Sequence, residues 1–197
     1  MSRRDRVNIA VSIEVAQRLA KASESTGMTQ YALANDIMSL GLDLLEEGYN
    51  LQQMRNLARF WRVCLDIEAV PVPASLLDKL ITRLYSEHSD LFKELWCEAG
   101  RTLAAYFKAT STSGVKEAVQ LMQYLGKILP AKRFEARQED GVVTFSVVGV
   151  GYSRETIEVN AAAVRCFFES LGYKVAEVDI ESGVLYVRAA PSTSQLA

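Results

Sequence analysis

Arg6, Asn8 and Ala10 stand at alternate positions of the segment Arg6-Val7-Asn8-Ile9-Ala10-Val11-Ser12. In a strand, residues two apart project to the same face. A guanidinium can donate to guanine O6 and N7, a carboxamide can pair with adenine N6 and N7, and a methyl can meet thymine. The intervening Val7, Ile9 and Val11 make an apolar, β-branched face. Such a strand cannot be a lone edge in water. Paired antiparallel with a second copy, it gives a two-stranded ribbon that fits a major groove about 12 Å wide. Arg3 and Arg4 extend the segment as a basic arm. Thr29-Gln30 opens a helix whose free backbone N–H groups form an anion site suited to a phosphate. Phosphate contacts would set the register and base contacts the sequence.

The other chemistry-bearing residues form no comparable pattern. His88 is the single histidine and lies between Ser86 and Ser89, where a helix junction is expected. It could join Cys97, Glu87 or Cys64 at a metal, but the close ligand pairs of a metal site are missing. Cys64, Cys97 and Cys166 are odd in number and widely spaced. They read as small core residues in a reducing cytoplasm rather than a disulfide framework. Gly149-Val150-Gly151 lacks the third glycine of a dinucleotide loop, since Arg154 stands there. Gly126-Lys127 lacks the upstream glycine of a phosphate loop, with Leu121 in its place. No nucleophile elbow occurs. Phe92, Trp96, Tyr106, Phe107, Phe145, Phe167 and Phe168 read as core, with a pocket for a small apolar ligand as the other reading. No catalytic residue, metal or cofactor is therefore expected, and a metal or small apolar ligand in the C-terminal part is the alternative.

The elements that position these residues follow from periodicity. Ser12 suits an N-cap for a helix carrying Val15, Ala16, Leu19 and Ala20, and Gly27 suits its stop. Thr29 caps a second helix with Leu33, Ile37, Leu40 and Leu44 on one stripe. The stripe continues through Leu51, Met54, Ala58, Trp61 and Leu65, interrupted by Glu47. A break is expected at Gly48-Tyr49-Asn50. Leu51 to Leu65 then reads as a linker helix against a dimer mate. Fifteen of the seventeen aromatics follow residue 49. The aromatic-poor opening unit is too small to bury much apolar surface alone, and its simplest partner is itself. Val7, Ile9, Val11, Leu19, Leu33, Ile37 and Leu40 are its expected dimer core.

Val70-Pro71-Val72-Pro73 marks a boundary. Ser75 with Asp78 resembles a capping arrangement for a helix to about Tyr85. Ser89 opens another to about Lys108, and a third runs from Val115 to Leu129, ended by Pro130. The period then changes. Phe134 to Glu139 and Val142 to Val148 read as a hairpin about Asp140-Gly141. Ser153 opens a helix to Leu171, closed by Gly172. Lys174 to Ile180 and Val184 to Ala189 make a second hairpin. The expected organisation is a β-α-α unit at 1–48 and a linker helix at 49–69. An α+β domain of three helices then β-β-α-β-β follows at 70–190, with a flexible tail at 191–197.

Residues 4–47 resemble the ribbon-helix-helix family of prokaryotic DNA-binding proteins, which includes small copy-number repressors and the nickel and methionine repressors. The likeness rests on the alternating strand Arg6 to Ser12 and on Gly27-Met28-Thr29-Gln30. There the family has a glycine, an apolar residue and a small hydroxyl residue before the second helix. The resemblance implies an intertwined dimer with Arg6, Asn8 and Ala10 facing bases and Thr29 and Gln30 holding phosphate. Ala10 stands where a polar residue is common and Asn8 where threonine is frequent, which bears on the target sequence. The helices-then-hairpin order, with Leu95 to Gly100 before Arg101, resembles the small-molecule-binding domain related to vinyl reductases. That family's terminal cysteines are absent here, so no ligand residue is carried over.

Composition bounds the rest. The 197 residues are 49% hydrophobic and 23% charged, with net charge −2. These values suit a folded chain and exclude one that coats nucleic acid by bulk charge. The apolar runs are too short to span a bilayer, and no apolar h-region follows the N-terminal arginines. The expectation is a cytoplasmic, homodimeric regulator of transcription on double-stranded DNA, a repressor by default. Its C-terminal domain would bind a small-molecule effector or join dimers into higher oligomers. One alternative is an antitoxin-like or architectural protein whose C-terminal domain grips a protein partner. The other is an enzyme dimerised by its N-terminal module, with Asp66, Glu68, Glu87 and Glu98 the acids nearest His88 and the cysteines.

Overall fold

The computed structural model describes residues 7–110, 115–125, 131–149, 152–181 and 183–192. The chain divides into two compact units, Met1–Arg55 and Asn56–Ala197. Arg3, Arg4 and Arg6, the polar loop at 111–114, Pro130 and the tail beyond 192 lie outside the described residues.

In the first unit, residues 7–12 are neither helix nor paired strand, and the first regular element is helix α1, Ile13–Thr26. The expected β element is thus not formed within one chain. The reason is elementary: a strand is defined by its neighbour, and no other strand of this unit exists among the described residues. Ser12 caps α1, its side chain accepting from the Val15 N–H at 3.3 Å. At the far end Gly27 adopts φ 69, and the N–H groups of Gly27 and Met28 both donate to the Ser23 carbonyl. Only glycine takes this left-handed turn without a Cβ penalty. Thr29 then caps α2, Gln30–Glu46, accepting from the Ala32 N–H at 3.2 Å. The helix ends at Glu46, before Gly48-Tyr49-Asn50, where the break was expected.

Helix α3, Leu51–Asp66, starts in the first unit and ends in the second. Asn50 and Gln53 cap it reciprocally: the Gln53 N–H donates to Asn50 Oδ1 at 2.9 Å, and the Asn50 N–H to Gln53 Oε1 at 2.8 Å. Sequence reading saw Asn50 only as a helix breaker. The amide pair is an Asn/Gln version of the capping box.

The second unit is α+β. Helix α4, Ala74–Thr110, replaces the two helices expected at 75–85 and 89–108. His88, with φ −132 and ψ 24, kinks it where the junction was expected. Ser75 and Asp78 do not cap it. The helix opens at Ala74, and the Pro73 carbonyl accepts from the N–H groups of Leu76 and Leu77. Helix α5, Val115–Leu125, precedes strands β1, Ala131–Glu139, and β2, Val142–Gly149. Helix α6 is Arg154–Ser170, followed by β3, Tyr173–Glu181, and β4, Val184–Pro191. The sheet is antiparallel in the order β1-β2-β4-β3. Asp140 (φ 49) and Gly141 (φ 81) are both left-handed, as a two-residue hairpin requires. Pro191 pairs with Tyr173, and the Ser192 N–H donates to the Gly172 carbonyl, so Pro191 belongs to the sheet and not to a tail.

One face of the sheet is apolar. It presents Ala136, Val143, Phe145, Leu185, Val187 and Ala189 to a core shared with Ile157, Phe167 and Phe168 of α6 and with Ala118 and Val119 of α5. A register shift between Val175 and Glu177 reverses the parity of β3. Val178 and Ile180 thereby face the core along with Tyr173 and Val175.

Helix α4 packs on α6, and the backbones approach closely at Gly100. A Cβ there would stand 2.2 Å from the Ala163 carbonyl oxygen. No side chain fits, so the sequence needs glycine inside this helix despite its poor propensity. Cys97 and Cys166, three residues from that crossing on either helix, are joined as a disulfide with Cα atoms 5.2 Å apart. This corrects the expectation of unpaired core cysteines. Spacing along the chain hid the pair because 69 residues separate its members.

Gly100→Ala must push α4 and α6 apart. It is expected to destabilise the second unit by about 1–3 kcal/mol, read as a lower urea midpoint at unchanged slope.

Candidate functional site

In the first unit the sequence-predicted residues divide clearly. Val7, Ile9 and Val11 are 89%, 64% and 57% exposed, and Asn8 and Ala10 are exposed beside them. The segment therefore presents both faces to solvent. On α2, Ile37 and Leu40 are 55% and 61% exposed, while Leu19 and Leu33 are half-buried. Only Ser23 is fully buried among the described residues of this unit. Five of the seven residues assigned to a dimer core, Val7, Ile9, Val11, Ile37 and Leu40, are thus more than half exposed within the chain. The same holds for Leu51, Trp61 and Leu65 along α3.

The start of α2 stands where the sequence puts it. Thr29 Oγ1 takes up one of the first N–H groups of α2, and both Thr29 and Gln30 are exposed. The remaining N–H groups of that first turn have no intrahelical acceptor. Charge is also sorted along this unit. Its basic residues up to Gly48, Arg3, Arg4, Arg6, Arg18 and Lys21, precede α2 along with the acidic Asp5, Glu14 and Glu24, whereas Asp36, Asp43, Glu46 and Glu47 lie on or just after it with no basic residue among them.

The second unit has a polar seam between α4 and α6. Asp78 Oδ1 accepts from the Ser153 N–H at 2.8 Å and from Thr156 Oγ1 at 2.6 Å, which satisfies the start of α6 from outside. Burial by itself raises the Asp78 pKa, but these hydrogen bonds outweigh it and hold the carboxyl below its ordinary value. Farther along, the Tyr85 hydroxyl donates to Glu158 Oε2, and Arg154 Nε donates to Glu158 Oε1 at 3.1 Å. The Tyr85 hydrogen bond, followed by Arg154 and Lys93, lowers the Glu158 pKa. Trp96 Nε1 donates to Asn160 Oδ1 at 3.1 Å.

Beside this seam lies an open cleft of about 620 Å³. Lys93, Arg101, Arg154 and Arg165 line it together with Glu94 and Glu158. Cys97 and Cys166 form part of its wall, and Val178 and Ile180 add an apolar strip. Sequence reading missed this site because its residues come from α4, α6 and β3, which only the fold brings together. His88 is exposed at the kink of α4, and Cys97 is committed to its disulfide rather than to a metal thiolate. Cys64 is a free, half-buried thiol whose pKa burial raises. Among the described residues no group of three or more His, Cys, Asp or Glu side chains is placed to hold a metal ion. Nor is any described helix long and apolar enough to cross a membrane.

With the fold an α+β arrangement of two units, comparison of the chain with protein-family models, curated proteins and solved structures finds no match.

The lowered Asp78 and Glu158 carboxyls predict an acid-sensitive α4–α6 seam. A folded pKa below the unfolded one contributes stability that is present above the unfolded value, near pH 4, and lost as pH falls through the folded value. Asp78→Asn combined with Glu158→Gln should lower the Tm at pH 7. The gap to the parent protein should close as the buffer is taken down to pH 3. A gap of constant size across that range would refute the assignment.

Proposed function

We propose that this chain is a homodimeric, sequence-specific DNA-binding regulator, by default a repressor, that reads its site with an antiparallel β-ribbon. The observation that carries the reading is the uncovered apolar surface of the first unit. Val7, Ile9 and Val11 alternate with Asn8 and Ala10, and none of the five is covered within one chain. A second copy of the segment supplies both the missing strand and the missing apolar cover. In that pairing Arg6, Asn8 and Ala10 face outward toward base edges, and Arg3 and Arg4 reach the backbone. Thr29 and Gln30, at the exposed start of α2, receive a phosphate. The resemblance to ribbon-helix-helix proteins in residues 4–47 supports the same assignment.

The second unit takes the role of effector-binding or oligomerising domain. The charged cleft supports the first role. The leucine face of α4, with Leu76, Leu80, Leu84, Leu91 and Leu95 exposed, supports the second. That face equally suits a protein partner in an antitoxin-like arrangement, which co-purification of a second chain would favour. The reading asks for no covalent chemistry.

DNA-binding measurements and sedimentation test it. Selection of bound fragments from random genomic DNA should return a site with two-fold symmetry, and binding to it should weaken steeply with added salt. Arg6→Ala and Asn8→Ala should each cost roughly 1–3 kcal/mol at that site. Unchanged affinity in both variants removes the base-reading role. In sedimentation, Ile37→Glu should shift the protein from dimer toward monomer, and a parent protein that is monomeric at all concentrations removes the ribbon.

A further inference from the structure

We infer that the Cys97–Cys166 disulfide is a reversible exchange site, and that the cleft beside it takes a small thiol bearing negative charge, of the glutathione type. Three independent features support this. Both sulfurs belong to half-buried residues in the wall of an open cleft, so a small molecule can reach them. The four cations of the lining outnumber its two carboxylates, and Arg154 and Lys93 already pair with Glu158. Positive surroundings attract an anionic thiol and favour the thiolate that exchange produces. The helices that carry the cysteines are held together by other contacts. Gly100 sits against the Ala163 backbone, Trp96 bonds to Asn160, and Phe107 meets Phe167 edge-on at 6.1 Å. Breaking the S–S bond therefore leaves two thiols facing each other across a maintained crossing, where re-oxidation is intramolecular and efficient.

The chemistry balances with two thiols. A thiolate of the incoming molecule bonds to one cysteine sulfur, the S–S bond breaks, and the other cysteine leaves as a thiolate. A second thiolate attacks the incoming sulfur of this mixed disulfide. It releases the small molecule as its own disulfide, and the two cysteine thiolates gain protons from water. Two thiols are oxidised and one protein disulfide is reduced. Oxidised glutathione runs the sequence backward.

The test uses the full-length protein carrying Cys64→Ser, so that only the pair reacts. It is equilibrated without denaturant in buffers of reduced and oxidised glutathione, quenched in acid, alkylated and weighed intact. The expected result is a reversible change from no free thiols to two, passing through a species that holds one glutathione. Cysteamine, a cationic thiol, should react more slowly, and added salt should narrow the difference between the two reagents. Arg101→Ala with Arg165→Ala, both exposed positions, should slow glutathione roughly three- to tenfold while sparing cysteamine. Sulfurs that become reducible only in denaturant, or that never link under oxidised glutathione, overturn the exchange site. Equal rates for the two reagents at low salt, a comparison that needs no arginine variant, overturn the anionic specificity. DNA binding enters none of these readouts, so the inference stands or falls apart from the proposed function.

Discussion

Apolar surface left in water is the constraint from which the first unit must be understood. Five side chains, Val7, Ile9, Val11, Ile37 and Leu40, are each more than half exposed. Each forgoes roughly 1–2 kcal/mol while it stays in contact with solvent. Ten of them, from two chains, weigh about as much as the freedom lost when two molecules join, of order 10 kcal/mol. Pairing two copies thus stands near balance on apolar burial alone. On the proposed reading, strand hydrogen bonds between copies, together with the exposed Leu51, Trp61 and Leu65 along α3, would tip it toward association. Sequence and local structure meet here: the alternation that predicts a strand is the one that leaves both faces of the segment exposed in a single chain.

The second unit obeys the opposite logic. Its sheet and α6 close over a continuous core, and α4 is fastened to α6 by contacts of different kinds. A backbone approach at Gly100, a carboxylate that caps the neighbouring helix, a tyrosine–glutamate hydrogen bond and a disulfide all act along one seam. The polar members are only partly buried, so each contributes modestly. Their value lies in register. Asp78 can satisfy the start of α6 only if α4 lies where Gly100 allows it to lie. The kink at His88 separates the Asp78 and Tyr85 contacts from those at Trp96, Cys97 and Gly100, so one bent helix grips α6 at two places.

Much of this was legible in the residues because it is local. Ser12, Gly27, Thr29, the Asp140-Gly141 turn and Ser153 each act on backbone within four positions, and all stand in the structure as periodicity and capping chemistry suggested. What escaped is long-range. Asp78 was read as a partner of Ser75 because sequence shows only neighbours, whereas its hydrogen-bonding partners are 75 and 78 residues away. Cys97 and Cys166 looked solitary for the same reason. The strand expected at residues 7–11 is a harder case, since it is not formed within the chain and on the proposed reading would need a second copy to pair with. The bulge near Val175 was hidden because the alternation on either side of it is regular. The interruption becomes visible only as two consecutive exposed residues, Ala176 and Glu177.

On the proposed reading, a chain of net charge −2 must approach a polyanion, and the ordering of charge in the first unit explains how it can. Helix α2 rises about 1.5 Å per residue, which places Asp43, Glu46 and Glu47 roughly 20 Å or more along the axis from the Thr29 cap. That is about two Debye lengths at physiological ionic strength. A phosphate seated at the start of α2 is therefore screened from those carboxylates. Asp36, about 10 Å along α2, and Glu24 lie nearer, and Lys21 and Arg18 of the preceding helix offset them; pairing would bring the arginines of two opening segments into one ribbon. The field that a duplex meets is set by this local arrangement and not by the whole-chain sum. The balanced charge of the remainder keeps non-specific attraction low, so discrimination falls to the few side chains that can reach base edges.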